Sequence, residues 1–260
     1  MRIATLNVNG IRAAARKGLF DWLPEAGLDV LCLQEVKAQA ADLEHDAAFS
    51  PAGWHADFNH AQRKGYAGVA VYARRAPEAV LDRLGEPEFD DEGRYLELRY
   101  GKLSIVSLYL PSGSAGPERQ ASKDRFLKFF LPVLERWRKA GRDYVICGDW
   151  NIAHTQRDLK NWRSNQKNSG FLPHERAWLE QVFGELGFVD AYRRLHADAT
   201  GEGYTWWSNR GQAYANNVGW RIDYQVITPS LAPKLRAAGV FKQRRFSDHA
   251  PLVVDYDDVL

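Results

Sequence analysis

Asp149 and Asn151 stand two apart at the end of a run that starts Tyr144-Val145-Ile146-Cys147 and breaks at Gly148. Four apolar or aromatic residues in succession predict a buried strand. Side chains two apart on an extended segment point the same way, so this strand delivers a carboxylate and an amide together. Gly, Asp and Asn also build turns, and the pair alone is compatible with either reading. The arrangement recurs, however. Residues 2–8 alternate apolar and polar side chains and present Asn7 and Asn9 ahead of Gly10. Residues 28–33 form a second apolar run that ends in Gln34-Glu35, and residues 103–110 place Tyr109 at a strand end. Residues 221–228 carry Asp223 inside an apolar pattern, and Ser247-Asp248-His249 opens the last strand, 252–254.

Taken singly, each of these residues has a plain reading as a turn former, a cap or a core tyrosine. Together they contain what metal-assisted phosphoester hydrolysis needs. A hard cation such as Mg²⁺ takes oxygen ligands and uses one or two carboxylates, which suits Glu35 and Asp248 with Asn7 nearby. Asp149 is placed to deprotonate a water molecule, steadied by Asn151. Charge developing on phosphoryl oxygens needs donors; His249, oriented by Asp223, is one and Tyr109 another. The sequence has no Cys/His cluster of zinc-site spacing and no glycine-rich phosphate or dinucleotide loop.

The elements that must position these groups are mostly strands. Residues 54–59 and 68–73 read as a pair around the basic turn Arg63-Lys64-Gly65-Tyr66, and 94–100 and 103–110 read as a hairpin through Gly101-Lys102. Residues 120–140 have helical spacing, interrupted by Pro132 and ended by Gly141; a second helix runs from Pro173 to 186, with Gly187 as its stop. Between them lies a polar segment, 152–171, too long for an idle loop in a compact domain. Residues 203–220 are rich in aromatics and Asn. Hairpin-like spacing outweighs βαβ alternation, which predicts an α/β fold of two face-packed, mixed, largely antiparallel sheets with helices outside. No linker, repeat or low-complexity tract divides residues 1–260, so one domain is expected.

Composition sets the limits. The 260 residues are 45% hydrophobic and 26% charged, ordinary for a globular domain, but nine Trp is high. No apolar run approaches the roughly 18 residues that span a bilayer, and no secretory signal is visible, so a cytoplasmic protein is expected. Cys32 and Cys147 lie inside apolar runs and read as buried thiols. The formal net charge is only +2. The basic residues are nonetheless grouped, at Arg12/Arg16/Lys17, Arg63/Lys64, Lys160/Arg163/Lys167 and Lys242/Arg244/Arg245. They form a nucleic-acid footprint only if folding brings them to one face.

The chain resembles the exonuclease III family of abasic-site endonucleases, within the endonuclease/exonuclease/phosphatase superfamily of deoxyribonuclease-I-like fold. The resemblance covers essentially the whole chain. It rests on Asn7-Val8-Asn9-Gly10-Ile11-Arg12, Leu33-Gln34-Glu35, Tyr66-Ala67-Gly68-Val69, Tyr109-Leu110-Pro111, Gly148-Asp149-Trp150-Asn151, Asn217-Val218-Gly219-Trp220-Arg221-Ile222-Asp223-Tyr224 and Ser247-Asp248-His249. It implies a four-layer α/β sandwich, Mg²⁺ with Mn²⁺ as substitute, and a monomeric enzyme in the cytoplasm, nucleoid-associated in a prokaryote. The implied substrate is double-stranded DNA with abasic sites or blocked 3′ ends. The implied activities are incision 5′ to an abasic site, 3′-phosphatase, 3′-phosphodiesterase and 3′→5′ exonuclease. The implied metal environment draws on Asn7, Glu35, Asp149, Asn151, Asp248 and His249, and the implied catalytic set is Tyr109, Asp149, Asn151, Asp223 and His249. On the DNA side it implies Asn9, Arg12, Lys37, Tyr66, Ser112, Asn161, Asn165, Asn168, Trp206, Arg210 and Trp220, with Trp206 and Trp220 holding the abasic sugar. Three positions depart from the pattern: Asn9 stands where some members have Asp, Ser112 where others have Asn or Gln, and Arg210, a candidate minor-groove probe, where some have an apolar residue. A phosphatase of lipids or inositol phosphates is disfavoured by the Trp-rich 204–220 segment, and a DNA-binding module with a decayed site by the complete polar set.

Overall fold

The computed structural model describes residues 1–257. In chain order, β1 (Arg2–Asn7) leads through α1 (Ile11–Arg16) and α2 (Leu19–Glu25) to β2 (Val30–Gln34), β3 (His55–Asn59) and β4 (Val69–Ala73). Next come β5 (Ala79–Leu81), α3 (Pro87–Asp90), β6 (Tyr95–Tyr100), β7 (Leu103–Tyr109), α4 (Pro117–Lys139) and β8 (Asp143–Asp149). Two short helices, α5 (Trp162–Asn165) and α6 (Pro173–Glu180), precede β9 (Val189–Asp190) and α7 (Ala191–Leu195). The chain ends with β10 (Trp206–Trp207), β11 (Gly219–Trp220), β12 (Asp223–Ile227), β13 (Leu235–Val240) and β14 (Leu252–Tyr256).

One sheet has the order β13-β14-β1-β2-β4-β3, the other β5-β6-β7-β8-β12-β9, and β10-β11 form a small ribbon. β1–β2 and β7–β8 are parallel; the remaining named pairs are antiparallel. Alternation along each strand explains the layers. On β8, Val145 and Cys147 face Val30, Cys32 and Val71 of the other sheet. Tyr144 and Ile146 point outward, under Phe126, Phe130 and Leu134 of α4 and Trp178 of α6. On β2, Leu31 and Leu33 likewise turn outward against Ile11, Leu19 and Trp22. Strands buried on both faces read as continuous apolar runs, which is why they were legible. The result is the expected four-layer sandwich.

Some elements differ from expectation. The helix read as 173–186 keeps regular turns only to Glu180; Gln181–Glu185 is a wider turn closed by Leu186 N donating to Gln181 O at 2.9 Å. Gly184 lies inside it, and glycine weakens a helix interior. The helix read as 120–140 begins earlier, at Pro117, and runs through Pro132 to Lys139. β8 does not break at Gly148 but continues to Asp149. β13 carries no clear alternation and exists because β14 offers it a partner. Among the described residues no helix is long and apolar enough to cross a membrane.

Register brings the polar strand ends together. Tyr109 of β7 lies opposite Asp149 of β8, and Asp149 opposite Asp223 of β12. On the facing sheet, Asn7 of β1 lies opposite Gln34, one residue before Glu35. Buried polar bonds tie the sheets near this end: Gln34 Nε2 donates to Ser107 Oγ at 3.0 Å, and Ser107 Oγ to the Leu33 carbonyl at 2.9 Å.

Candidate active site

The two Asn/Asp-x-Asn strand ends close in the same way. Asn9 N donates to Asn7 Oδ1 and Asn151 N to Asp149 Oδ1, both at 2.9 Å. These are Asx turns, in which a short polar side chain caps its own backbone two residues on. Asn9, Glu35 and Asn151 all take left-handed φ values, 44°, 52° and 52°. Such residues cost about 1–3 kcal/mol each and persist where their surroundings over-determine them. Here the left-handed residues turn the chain sharply off three strands and aim the polar groups at one point.

That point is a hydrogen-bonded cluster spanning both sheets. Asn7 Nδ2 donates to Glu35 Oε1 at 2.8 Å and to Asp149 Oδ2 at 2.9 Å, bridging the two carboxylates. The Tyr109 hydroxyl donates to Glu35 Oε1 at 2.8 Å. Asn151 Nδ2 reaches Asp149 Oδ2 at 3.2 Å and the Leu110 carbonyl at 2.9 Å. His249 Nδ1 bonds Asp223 Oδ2 at 2.9 Å, leaving Nε2 to face Asp149 Oδ2 at 4.0 Å. A further chain runs from Trp206 Nε1 to Asp248 Oδ2 (3.2 Å), from Asn9 Nδ2 to Asp248 Oδ1 (3.0 Å), and from Lys37 Nζ to Asn9 Oδ1 and Glu35 Oε2 (both 2.6 Å).

Burial, then the neighbouring Asp223 charge, push the Asp149 carboxyl up to about 7. Burial alone would lower His249, but Asp223 outweighs it through charge and hydrogen bond, and the imidazole is pushed up to about 10. Burial acts against ionised Glu35, yet Lys37 and the Asn7 bond hold it below its usual value. Asp248 is held low, against burial, by His249 and the bonds from Asn9 and Trp206. Burial and the Glu35 charge raise Tyr109 well above the ordinary phenol range, so it stays a donor. At neutral pH the cluster therefore presents Glu35 and Asp248 as carboxylates, a protonated His249 imidazole and an Asp149 carboxyl poised to give or take a proton.

Asp149, Asp223 and His249 offer donor atoms within 4.8 Å of one another and form a group able to hold a metal ion. Asp223 is fully buried behind the imidazole it orients, whereas Glu35, Asp248, Asp149 and Asn151 line the open cleft. An oxygen-only set of this kind fits a hard divalent cation.

The cleft holds about 620 Å³ and is lined by Glu35, Ser112, Asp149, Asn151, Asn165, Asn168, Trp206, Arg210, Trp220, Asp248 and His249. Asn7 and Tyr109 lie beneath Glu35 and Asp223 behind His249, through the bonds above. The other candidates lie outside it. Asn9 borders an adjoining groove of about 320 Å³ with Lys17, Asn209 and Arg245, and Lys37 joins it through the Asn9 bond. Arg12 is exposed, 3.9 Å from Asp42. Tyr66 is held by Arg94 Nη2 and Arg119 Nη1, which donate to its hydroxyl at 2.9 and 3.0 Å. Asn161 sits at the start of α5, its carbonyl accepting from Asn165 Nδ2 at 2.8 Å.

Several supporting residues gave no clear sequence signal. Ser247 Oγ donates to the Asn7 carbonyl at 2.6 Å and accepts from His249 N at 2.9 Å, joining β1 to the His249 segment. Thr205 Oγ1 accepts from Asp223 N at 3.2 Å. Ser114, Ser169 and Gly170 also line the cleft, as does Lys167 of the basic group 160–167. Lys123 could have been found: it falls on the buried face of α4 one turn before Phe126 and Leu127, where an apolar residue is the norm.

The family model described as the Endonuclease/Exonuclease/phosphatase family matches residues 4–249. The chain is 37% identical over 254 residues to an exodeoxyribonuclease of Bacillus subtilis (strain 168), covering 97% of this chain and 98% of that protein. It is 35% identical over 258 residues to the DNA repair nuclease APEX1 of Danio rerio, covering 98% of this chain and 81% of that one. Among solved structures, an AP endonuclease from Archaeoglobus fulgidus superposes with a TM-score of 0.89 at 30% identity, covering 99% of this chain and all of that one. The 3′ phosphatase NExo from Neisseria, bound to a product DNA hairpin, gives 0.88 at 25% identity, covering 99% of this chain and 100% of that one. Similarity of this extent, over a site built from the ends of both sheets, places the chain among phosphodiester hydrolases: it belongs to the Endonuclease/Exonuclease/phosphatase family.

Proposed function

We propose that the protein is a repair nuclease acting on double-stranded DNA. It incises the phosphodiester 5′ to an abasic site to leave a 3′-hydroxyl, and clears 3′-phosphate and 3′-phosphodiester blocks with 3′→5′ exonuclease activity at the same site. The observation that carries this reading is the pairing of Asp149 with the Asp223-oriented His249 at the foot of a cleft walled by two indoles, Trp206 and Trp220, whose rings are 6.3 Å apart. A sugar without its base loses little stacking or pairing on leaving the helix, and an aromatic-walled cleft suits it. The names of the relatives, nucleases and an AP endonuclease, agree.

Asp149, ionised, accepts the proton of a water molecule as its oxygen attacks phosphorus. Asn151, bonded to Asp149, orients that water. The bond to the 3′-oxygen breaks and that oxygen takes a proton from solvent water, leaving a 3′-hydroxyl on one side and a 5′-phosphate on the abasic side. His249 Nε2 and the Tyr109 hydroxyl donate to the phosphoryl oxygens as charge builds. Glu35 and Asp248, with Asn7, would hold Mg²⁺, with Mn²⁺ as substitute; when bound, the ion supplies positive charge against that on the phosphoryl oxygens. Ser112, Asn165, Asn168 and Arg210 line the strand path, while Asn9, Arg12, Lys37, Tyr66 and Asn161 border it. The whole chain works as one monomeric unit.

The test is a labelled duplex with one abasic analogue, incubated with Mg²⁺ or with chelator, for the wild type and Asp149→Asn. Metal-dependent incision 5′ to the lesion is expected, with a loss of about 10²–10⁴-fold in the variant while DNA binding persists. Removal of a 3′-phosphate without incision would make the protein a 3′-end-cleaning enzyme, and activity on neither substrate would overturn the reading.

A further inference from the structure

Behind the cleft, one ion pair lies wholly inside the protein. Lys123 of α4 and Glu175 of α6 are both fully buried, with Nζ and Oε1 2.7 Å apart. An ion pair in this position is not an economical way to hold helices together. An apolar pair of similar volume is often as stable or more stable, because both charges have lost their water.

What the pair touches suggests another purpose. Lys123 Nζ donates to the main-chain carbonyl of Asn151 at 2.8 Å. Glu175 Oε2 accepts from the main-chain N–H groups of Gly170 at 2.7 Å and Leu172 at 3.1 Å. The two segments meet again where Ala153 N donates to the Gly170 carbonyl at 2.8 Å. They are also in close contact: a Cβ on Gly170, itself left-handed at φ 92°, would lie 3.2 Å from the Asn151 carbonyl oxygen and 3.3 Å from the Trp220 ring. The pair thus spans from the left-handed residue beside Asp149 to the segment packed on an indole of the cleft wall.

We infer that Lys123 and Glu175 are positioning residues, a buried strut that sets the Asn151 turn in register with the Gly170–Trp220 wall of the cleft. The inference rests on the proposed part of Asn151 in incision. A carbonyl fixed by an ammonium holds Asn151 at one left-handed geometry, and with it the amide that steadies Asp149. The carboxylate fixes the wall to the same anchor, so water-orienting amide and sugar wall keep one separation. Reacting groups displaced by about 1 Å lose on the order of 10²-fold in rate, so a strut of this kind acts on turnover more than on binding.

The test is the double variant Lys123→Met/Glu175→Leu, which replaces the pair by apolar side chains of similar bulk. Three quantities are compared with the wild type: thermal midpoint, affinity for abasic duplex in chelator, and kcat and KM for incision with Mg²⁺. The expected result is a lower midpoint, because the Asn151 carbonyl and the Gly170 and Leu172 N–H groups lose their partners, with affinity and KM within about threefold and kcat of the folded protein lowered about 10–100-fold. A pair kept for stability alone lowers the midpoint but leaves kcat normal in the folded fraction, and that result overturns the inference. Should the double variant fail to fold, Glu175→Gln decides. It keeps the shape and one accepting oxygen, so a kcat loss at wild-type affinity supports the strut and wild-type kcat overturns it. Absence of incision by the wild type sinks the functional reading and the inference with it, whereas wild-type incision with an unimpaired variant sinks the inference alone.

Discussion

Burial and Asp223 raise Asp149, while the His249 imidazolium and the Asn7 amide pull it down, and the balance sits at about 7. His249, pushed up to about 10, stays protonated where Asp149 is ionised. The proposed chemistry needs Asp149 without its proton and His249 with one. Incision should therefore rise with pH through about 7, hold level, and fall through about 10. A pH–rate profile of kcat/KM on abasic duplex checks this; a rate that falls between pH 6 and 8 would refute the assignment of Asp149 as base. Most of these residues were legible from sequence because each follows an apolar run. What a sequence does not show is the bond from Asn7 to Asp149, across 142 positions.

At the scale of elements, two positions govern how the site is presented. Gly148 reads as a strand breaker, yet it lies within β8 opposite Leu108 of β7. A Cβ there would stand 1.9 Å from the Leu108 carbonyl oxygen, so glycine is present to let two backbones approach rather than to turn the chain. Gly148→Ala should push β7 from β8, costing about 1–3 kcal/mol by overpacking and moving Tyr109 away from Asp149; urea unfolding and incision rate should both fall. The second position is Asp158, which is fully buried and bonded to Arg221 Nε at 2.7 Å, with Arg193 beside it. Through Arg221 it anchors the link between Trp220 of β11 and Asp223 of β12. Burial opposes its charge, but Arg221 and Arg193 hold the carboxyl well below the usual carboxylate range. The stability it contributes is complete above the unfolded value of about 3.9 and is lost as pH falls toward the depressed folded value. Asp158→Asn leaves Arg193 without its carboxylate and Arg221 with Asp190 alone, and should cost about 3–5 kcal/mol at neutral pH. The difference from wild type should shrink below about pH 4, as equilibrium denaturation at several pH values will show.

Across the whole molecule, the site is supported by bonds that need no ion. Asn7, Tyr109, Lys37 and Asn9 already hold Glu35 and Asp248 in place. Chelator should therefore abolish incision while leaving the far-ultraviolet circular dichroism unchanged. Mg²⁺ at about 100 times its dissociation constant should add roughly 2.7 kcal/mol of stability, visible as a higher thermal midpoint. Loss of secondary structure on chelation would show that the metal is structural instead.

The sequence by itself determined the fold class and most of the polar set, because strands buried on both faces must be apolar throughout and any carboxylate or amide at their ends stands out. It determined the family resemblance for the same reason: those ends keep local patterns. Only the tertiary structure decided which ends meet. Tyr109, Asp149 and Asp223 become neighbours through the register of β7, β8 and β12, and Asn7 and Glu35 join them through the packing of one sheet on the other. Only the tertiary structure revealed Lys123 and Glu175 as a pair, since their meeting depends on how α4 and α6 lie over the same sheet. Local sequence sets backbone preference and burial; contacts between distant segments depend on strand register and layer packing, and these set the separations and field that determine what Asp149 can do.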